Sequence, residues 1–154
     1  TLSQALLVEV TMHINERWMK RTWFLRPLQL AVKVKIAMAM TQRTFAAGEV
    51  LPTWHLYNMK RGAAMLRHRV LASGTVWGDD ILISNPDNLS PYVARALVFS
   101  ETITIDRATV ITLMAPFDES VREFRRLGAL LALKRFLIRN LRETRVRQVS
   151  RKKK

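Results

Sequence analysis

The 154-residue chain contains no cysteine, which excludes disulfide bonds and thiolate metal sites and is compatible with a reducing cytosolic setting. No apolar run approaches the roughly 18 residues of a membrane-spanning helix. The sequence also lacks the Gly-x-x-x-x-Gly-Lys motif that cradles phosphates, and no serine lies in a nucleophile-elbow context. Because the chain begins at Thr1 without a charged-then-apolar leader, we expect a soluble segment of a larger protein.

Acidic residues are scarce: 12 Asp and Glu stand against 26 Lys and Arg, which gives a formal net charge of +14. The excess is concentrated toward the C-terminus, where only Glu123 and Glu143 oppose it. The basic residues there are Arg122, Arg125, Arg126, Lys134, Arg135, Arg139, Arg142, Arg145, Arg147, Arg151, Lys152, Lys153 and Lys154. This imbalance predicts an anionic partner, such as a membrane surface, a nucleic acid or an acidic ligand.

Apolar residues recur every four positions near the N-terminus, which predicts an amphipathic helix. The stripe consists of Leu2, Leu6, Val10, Ile14 and Trp18. We expect the helix to end within residues 22–27, because Pro27 disfavours helical geometry at Arg26. A second, shorter helix is expected over residues 30–38, and the alternation of apolar residues and lysines over residues 32–36 fits a strand as well.

Short apolar or alternating runs then follow one another from Thr44 onward, separated by turn residues. Four of the turn residues are glycines: Gly48, Gly62, Gly74 and Gly78. Short strands with regular turn glycines are typical of an antiparallel sandwich or barrel. The last two strands are expected at Val93–Phe99 and Thr102–Ile105, joined by a tight connection at Ser100-Glu101.

Helical patterns return after the strands. A short helix is expected over Asp106–Ala115, stopped by Pro116, and a long helix is expected from a cap at Asp118 or Ser120 to about Glu143. The order of elements predicts an α+β fold. It consists of an antiparallel, jelly-roll-like β-roll flanked by N-terminal helices and by a short plus a long C-terminal helix.

The motif Gly78-Asp79-Asp80 is a candidate metal site, because paired carboxylates at a strand end bind magnesium in template-copying polymerases. Those enzymes need several hundred residues and further acidic motifs, and this sequence has neither. The three histidines lie in unrelated segments: His13, His55 and His68. We therefore predict neither a metal site nor an enzyme.

Several short motifs follow one another in a characteristic order. They are Gly48-Glu49, Leu56-Tyr57 with Gly62, Gly78-Asp79, and Arg95-Ala96-Leu97 followed by Phe99. A short helix ending at Pro116 and a long basic helix come after them. This order resembles the cyclic nucleotide-binding domain of hyperpolarisation-activated, cyclic-nucleotide-gated and ether-à-go-go-type channels. The N-terminal residues resemble the end of the C-linker, which joins the channel pore to that domain.

The resemblance divides the chain into four segments. Residues 1–26 form a C-linker-like helix, and residues 27–117 form the β-roll. Within the roll, residues 77–96 correspond to the phosphate-binding cassette of the family and are called the cassette segment below. Residues 118–145 form the long C-terminal helix, and residues 146–154 form a basic tail that we expect to be frayed.

The resemblance also implies a pocket for cAMP or cGMP, as a regulatory ligand and not as a resident cofactor. The ligand-binding positions carried over are Gly78, Asp79, Ile81, Ser90, Pro91 and Tyr92. Asp79 replaces the glutamate that contacts the ribose, and Ser90 replaces the arginine that binds the cyclic phosphate. Losing one charge-assisted pair costs about 1.5–3 kcal/mol, or roughly ten- to a hundredfold in affinity. We therefore predict a degenerate pocket with weak or no cyclic nucleotide binding.

Lys134 interrupts an apolar line on the predicted long helix. The line comprises Leu127, Leu131, Ile138 and Leu141, with Leu130 alongside. Two interpretations of Lys134 stay open. In the first, its ammonium group reaches solvent along the aliphatic stem. In the second, Lys134 faces the pocket and supplies the missing positive charge.

At the level of function, the resemblance implies a regulatory module of a tetrameric cation channel on the cytoplasmic face of a membrane. Its partners would be the remainder of the channel and anionic lipid near the basic tail. A soluble cyclic-nucleotide sensor is one alternative, although the sequence lacks a second domain copy or a helix-turn-helix. A basic RNA- or ribosome-associated protein is another, although no RNA-binding signature is present and nucleic acid is disfavoured.

Overall fold

Two helices begin the chain in the computed structural model, which describes residues 3–152. Helix α1 spans Gln4–Arg21 and helix α2 spans Leu30–Ala39, so residues 32–36 are helical and do not form a strand. Ser3 caps α1, because its hydroxyl accepts a hydrogen bond from the Leu6 amide at 3.3 Å. Helix α1 ends at Arg21, one residue before the predicted stretch 22–27, and Thr22 is its C-cap.

The predicted apolar stripe of α1 is only partly buried. Trp18, near the end of the helix, packs into the core, whereas Leu6, Val10 and Ile14 are exposed to solvent. Leu2, the first member of the stripe, lies outside the described residues. Helix α1 is therefore anchored to the domain through its C-terminal end.

Within residues 3–152, eight strands form two antiparallel four-stranded sheets. The strands are β1 Thr41–Phe45, β2 Val50–Leu51, β3 His55–Arg61, β4 Ala63–Leu66, β5 Arg69–Ala72, β6 Val76–Trp77, β7 Ala94–Ala96 and β8 Ser100–Asp106. The strand order is β1-β8-β3-β6 in one sheet and β2-β7-β4-β5 in the other. The predicted α+β fold with an antiparallel roll is confirmed.

The connection between β7 and β8 differs from the prediction. Ser100 and Glu101 do not form a turn but begin β8, and residues 97–99 carry the chain from one sheet to the other. Ser100 fixes this crossing through its buried hydroxyl. The hydroxyl oxygen lies 2.9 Å from the Val98 carbonyl oxygen and 3.1 Å from the Ala63 carbonyl oxygen, and both carbonyls can accept its hydrogen bond. The crossing residues are apolar but exposed, which is why the sequence pattern extends the strand too far.

Two helices follow the roll: α3 spans Arg107–Met114 and α4 spans Asp118–Lys152. Asp106 caps α3, and its carboxylate accepts a hydrogen bond from the Thr109 amide at 3.1 Å. Helix α4 continues beyond the predicted end near Glu143, so residues 146–152 of the predicted frayed tail are helical. Lys153 and Lys154, the remainder of that tail, lie outside the described residues.

Two clusters of buried apolar residues hold the fold together. The larger one joins the end of α1, α2, α3, the first turns of α4 and the outer side of the roll. Its members include Trp18, Leu25, Val32, Ile36, Leu56, Ile81, Ile105, Met114, Phe124 and Leu127. The smaller one fills the roll and includes Phe45, Leu51, Tyr57, Met59, Ala64 and Leu71. The cassette segment lies where the two clusters meet, because Ile81 and Leu82 belong to the first and Ala94 and Ala96 to the second.

None of the helices within residues 3–152 combines the length and the apolar character that crossing a bilayer requires.

Candidate functional site

The cassette segment leaves strand β6 through a tight left-handed turn at Gly78, whose φ is +113°. A 3₁₀ helix, Asp79–Leu82, follows immediately. A Cβ atom at Gly78 would lie 2.0 Å from the His55 carbonyl oxygen, so only glycine fits between this turn and strand β3. Gly78 therefore serves the contact between the cassette segment and the roll.

The two carboxylates after Gly78 lie in different surroundings. The side chain of Asp79 is 46% exposed, whereas that of Asp80 is 11% exposed. Asp80 Oδ1 accepts a hydrogen bond from the Ser90 amide at 3.2 Å and another from Arg135 Nη1 at 2.5 Å. Asp79 Oδ1 accepts from Arg135 Nη2 at 3.2 Å. Both carboxylates thus bind one guanidinium group.

Arg135 lies on helix α4, 55 residues after Asp80 in the chain. Its Nη1 also donates to the Asn88 carbonyl at 2.9 Å, so three groups of the cassette segment bind the same side chain. The side chain of Arg135 is 21% exposed. A guanidinium suits this position because its fixed planar fork can donate to several acceptors at once.

Two more residues of α4 contact the cassette segment, one on each side of Arg135 along the helix. A Cβ atom at Gly128 would lie 2.5 Å from the Leu82 carbonyl oxygen, so the helix backbone packs closely there. Arg139 Nη1 donates to the Asp87 carbonyl at 3.0 Å. Residues spaced by seven and by four lie on one face of a helix, so α4 contacts the cassette segment along a single face.

Partial burial raises the pKa of Asp79 above its ordinary value, because the charged carboxylate loses part of its hydration. The positive charge of Arg135 opposes this rise in pKa, while the neighbouring negative charge of Asp80 adds to it. The charged form of Asp79 is therefore less favourable in the folded chain than in water, even though Arg135 is beside it.

A cavity of about 80 Å³ lies between the roll and the cassette segment. Its walls include the stacked rings of His55, Tyr57 and Trp77, and Arg135 lies at its edge. Tyr57 is fixed by a hydrogen bond from its hydroxyl to the Pro52 carbonyl at 2.8 Å. Because sites for small organic ligands have volumes of roughly 300–1,000 Å³, a cyclic nucleotide does not fit this cavity as it stands.

The structure brings four of the predicted ligand positions to this cavity: Gly78, Asp79, Ser90 and Tyr92. Pro91 lies outside it, in a neighbouring surface cleft. Ile81 differs most from its expected role, because it is fully buried in the larger apolar cluster and faces away from the cavity.

Ser90 and Tyr92 make contacts that keep the end of the cassette segment in place. The Ser90 hydroxyl accepts a hydrogen bond from the Tyr92 amide at 3.3 Å. Arg67 belongs to the hairpin between β4 and β5. Its guanidinium lies over the ring of Tyr92, 4.8 Å from the ring centroid. Both residues therefore have structural partners within the chain.

Lys134, which sequence reasoning offered as the pocket-facing cation, has an exposed side chain. Each helical residue is rotated by about 100° from the one before it, and this rotation turns Arg135 toward the cassette segment in place of Lys134. Sequence reasoning missed Arg135. The signal that could have found it is Gly128, a helix-interior glycine one heptad earlier, which marks the face of closest approach.

Comparison with models of known protein families and with curated proteins finds no match for this chain. Within the part of the chain that the structure describes, no group of three His, Asp or Glu side chains is placed to hold a metal ion.

Proposed function

We propose that this chain is the cytoplasmic regulatory module of a tetrameric cation channel, at the face of a membrane. In this proposal it is a cyclic nucleotide-binding-like domain preceded by the end of a C-linker. Support comes from the order of elements: N-terminal helices, an eight-stranded roll with an inserted cassette segment, a short helix and a long helix. The motif order in the sequence agrees with this architecture.

One observation carries the proposal further: the guanidinium of Arg135 occupies the cassette segment. The phosphate-binding arginine of the family is replaced by Ser90, and Arg135 brings a positive charge to the same region from α4. Its donors are committed to Asp79, Asp80 and Asn88. The carboxylate expected to bind a ribose hydroxyl, that of Asp79, already accepts a hydrogen bond from Arg135. These contacts hold helix α4 against the cassette segment.

Titration calorimetry with cAMP and with cGMP tests the ligand part of this proposal. We expect no sub-micromolar binding of either nucleotide, because the inner cavity is small and its charged groups already have partners. Sub-micromolar binding of either nucleotide would overturn the degenerate pocket.

The channel part of the proposal is tested separately, by sequencing the transcript upstream of the codon for Thr1. Six membrane-spanning segments there would support it, and a second nucleotide-binding domain would favour a soluble sensor instead. RNA binding is measured independently. An affinity for RNA that falls steeply as the salt concentration rises would favour the ribosome-associated alternative.

A further inference from the structure

A cavity of about 500 Å³ lies on the other side of the cassette segment, away from the stacked rings. The cassette segment, helix α3 and the first half of α4 form its walls. The apolar part of the lining includes Leu82, Ile83, Ile111, Met114, Val121 and Phe124, together with Ala129 and Ala132 of α4. This volume falls within the range of sites that hold small organic molecules.

Arg107, the first residue of α3, brings a positive charge to this cavity. Its side chain is half-buried, one Nη1 hydrogen bonds the Ile81 carbonyl, and the guanidinium lies 5.7 Å from the centroid of the Phe124 ring. Among the described residues, no carboxylate forms a salt bridge with Arg107. The neighbouring carboxylate of Asp106 is engaged in capping α3 instead.

The guanidinium of Arg107 therefore has donors that its contacts within the chain do not use. Arginine carries five N–H donors, and one carbonyl and one aromatic ring satisfy only part of them. Desolvation lowers the pKa of Arg107, which is the expected consequence of holding a cation in poorly hydrated surroundings. A half-buried cation of this kind is stabilised by an anion that enters the cavity.

The other polar residues that line the cavity are also positively charged or uncharged. Arg125 adds a second cation, the uncharged polar residues of the lining are Ser84, Asn85 and Asn88, and no Asp or Glu belongs to it. Positive charge next to apolar walls selects a ligand with a single anionic head and an apolar body. A polyanion such as a nucleotide would leave the apolar walls unused, and a cation would meet only repulsion.

We propose that this cavity binds an amphipathic monoanion, with medium-chain fatty acid carboxylates as the ligand class. The carboxylate accepts hydrogen bonds from the free donors of Arg107, and the hydrocarbon chain lies against Ile111, Met114 and Val121. This inference goes beyond the proposed channel function and does not depend on it. It rests on the cavity and on Arg107 alone.

Three probes with the same ten-carbon chain separate charge from apolar contact in a calorimetric titration: decanoate, decanol and decyltrimethylammonium. Each is used below its aggregation concentration, at a pH well above the pKa of the carboxylic acid. We expect saturable decanoate binding that is at least about tenfold tighter than decanol binding. No binding of the cationic probe is expected.

Variants locate the binding. Arg107→Gln is expected to weaken decanoate binding by about ten- to a hundredfold and to leave decanol binding unchanged. Arg122→Gln, at an exposed arginine of α4 outside the lining, removes the same charge and is expected to change neither affinity. Ala132→Phe keeps all charges but fills the cavity, so it tests the site even if Arg107→Gln does not fold. We expect it to weaken decanoate and decanol binding at least tenfold.

Two results overturn the proposal. One is decanol binding as tight as decanoate binding in the unaltered protein, which would mean that the charge of Arg107 selects nothing. The other is an unchanged decanoate affinity in Ala132→Phe, which would place the ligand elsewhere on this basic chain.

Discussion

The two halves of helix α4 have different surroundings. In residues 118–135, Phe124, Leu127 and Gly128 are buried, and Arg135 binds the cassette segment. In residues 140–151 every side chain is exposed, including Leu141. Both halves combine apolar and basic residues, so the pattern alone does not decide which half packs. The difference lies in long-range contacts at a few positions, and these contacts fix the position of the helix.

The largest effect is expected from Arg135→Ala, which leaves the nearly buried carboxylate of Asp80 without its cation. Removing one partner of a buried ion pair is strongly destabilising, and here we expect a loss of about 2–4 kcal/mol in the free energy of unfolding. Urea denaturation measures it. The matched control is Lys134→Ala at the preceding position, which is exposed, and for it we expect a change within about 0.5 kcal/mol. Equal effects of the two substitutions would remove the distinction between the helix faces.

A smaller loss is expected from Gly128→Ala. Alanine is the better helix former by about 1 kcal/mol, but its Cβ would lie 2.5 Å from the Leu82 carbonyl, so the helix must shift. We expect a net destabilisation of about 1–3 kcal/mol. Asn140→Ala, in the exposed half, gains the same kind of propensity without a clash and is expected to be neutral or slightly stabilising. If the two variants had equal free energies of unfolding, close packing of helix α4 at Gly128 would be contradicted.

The carboxylate of Asp79 should make the stability of the folded chain depend on pH. The folded-state pKa of Asp79 is raised, so the folded chain binds more protons there than the unfolded chain. Its contribution to stability therefore falls as the pH rises through this raised pKa. As the pH rises from acidic to neutral, the free energy of unfolding of Asp79→Asn should increase relative to that of the unaltered protein. Urea midpoints measured over that range check the sign, and a difference that moves the opposite way would show that Arg135 outweighs desolvation.

The smallest effect is expected from removing residues 144–154. The described part of this segment is exposed helix, so we expect the free energy of unfolding to change by less than about 0.5 kcal/mol. Binding to vesicles that contain anionic lipid should weaken, because each basic residue near such a surface contributes about 1 kcal/mol. Denaturation and vesicle sedimentation measure the two effects. A large loss of stability would show that the distal half of α4 packs after all.

Much of the fold was accessible to sequence reasoning. The apolar stripe ending at Trp18 and the short helix before Pro116 both follow local rules, as do the strands between glycine turns, and the structure contains these elements. The end of α4 was not accessible, because neither glycine nor proline occurs after Gly128 to stop the helix. The crossing at residues 97–99 was missed since three exposed apolar residues there continue a strand-like pattern.

The candidate site was only partly accessible. The motif positions Asp79 and Ser90 lie together, as expected for one cassette, because they are close in sequence and joined through Asp80. Arg135 depends on the rotational phase of a helix that begins about forty residues after Asp79, and no local pattern specifies that phase. Lys134 was singled out because it interrupts an apolar line, but its side chain is exposed. The cation that binds the cassette segment is Arg135, one position further along the helix.

The proposal that Arg135 takes the place of a nucleotide in the cassette segment is tested most directly by titrating cAMP into three variants: Ser90→Arg, Arg135→Gln and the double variant. We expect Ser90→Arg alone to bind weakly, because Arg135 still holds Asp79 and Asp80. The double variant should bind about ten- to a hundredfold more tightly than either single variant, since the phosphate gains a charge-assisted partner in a freed cassette. Tight binding by Ser90→Arg with Arg135 in place, or no gain in the double variant, would contradict the account.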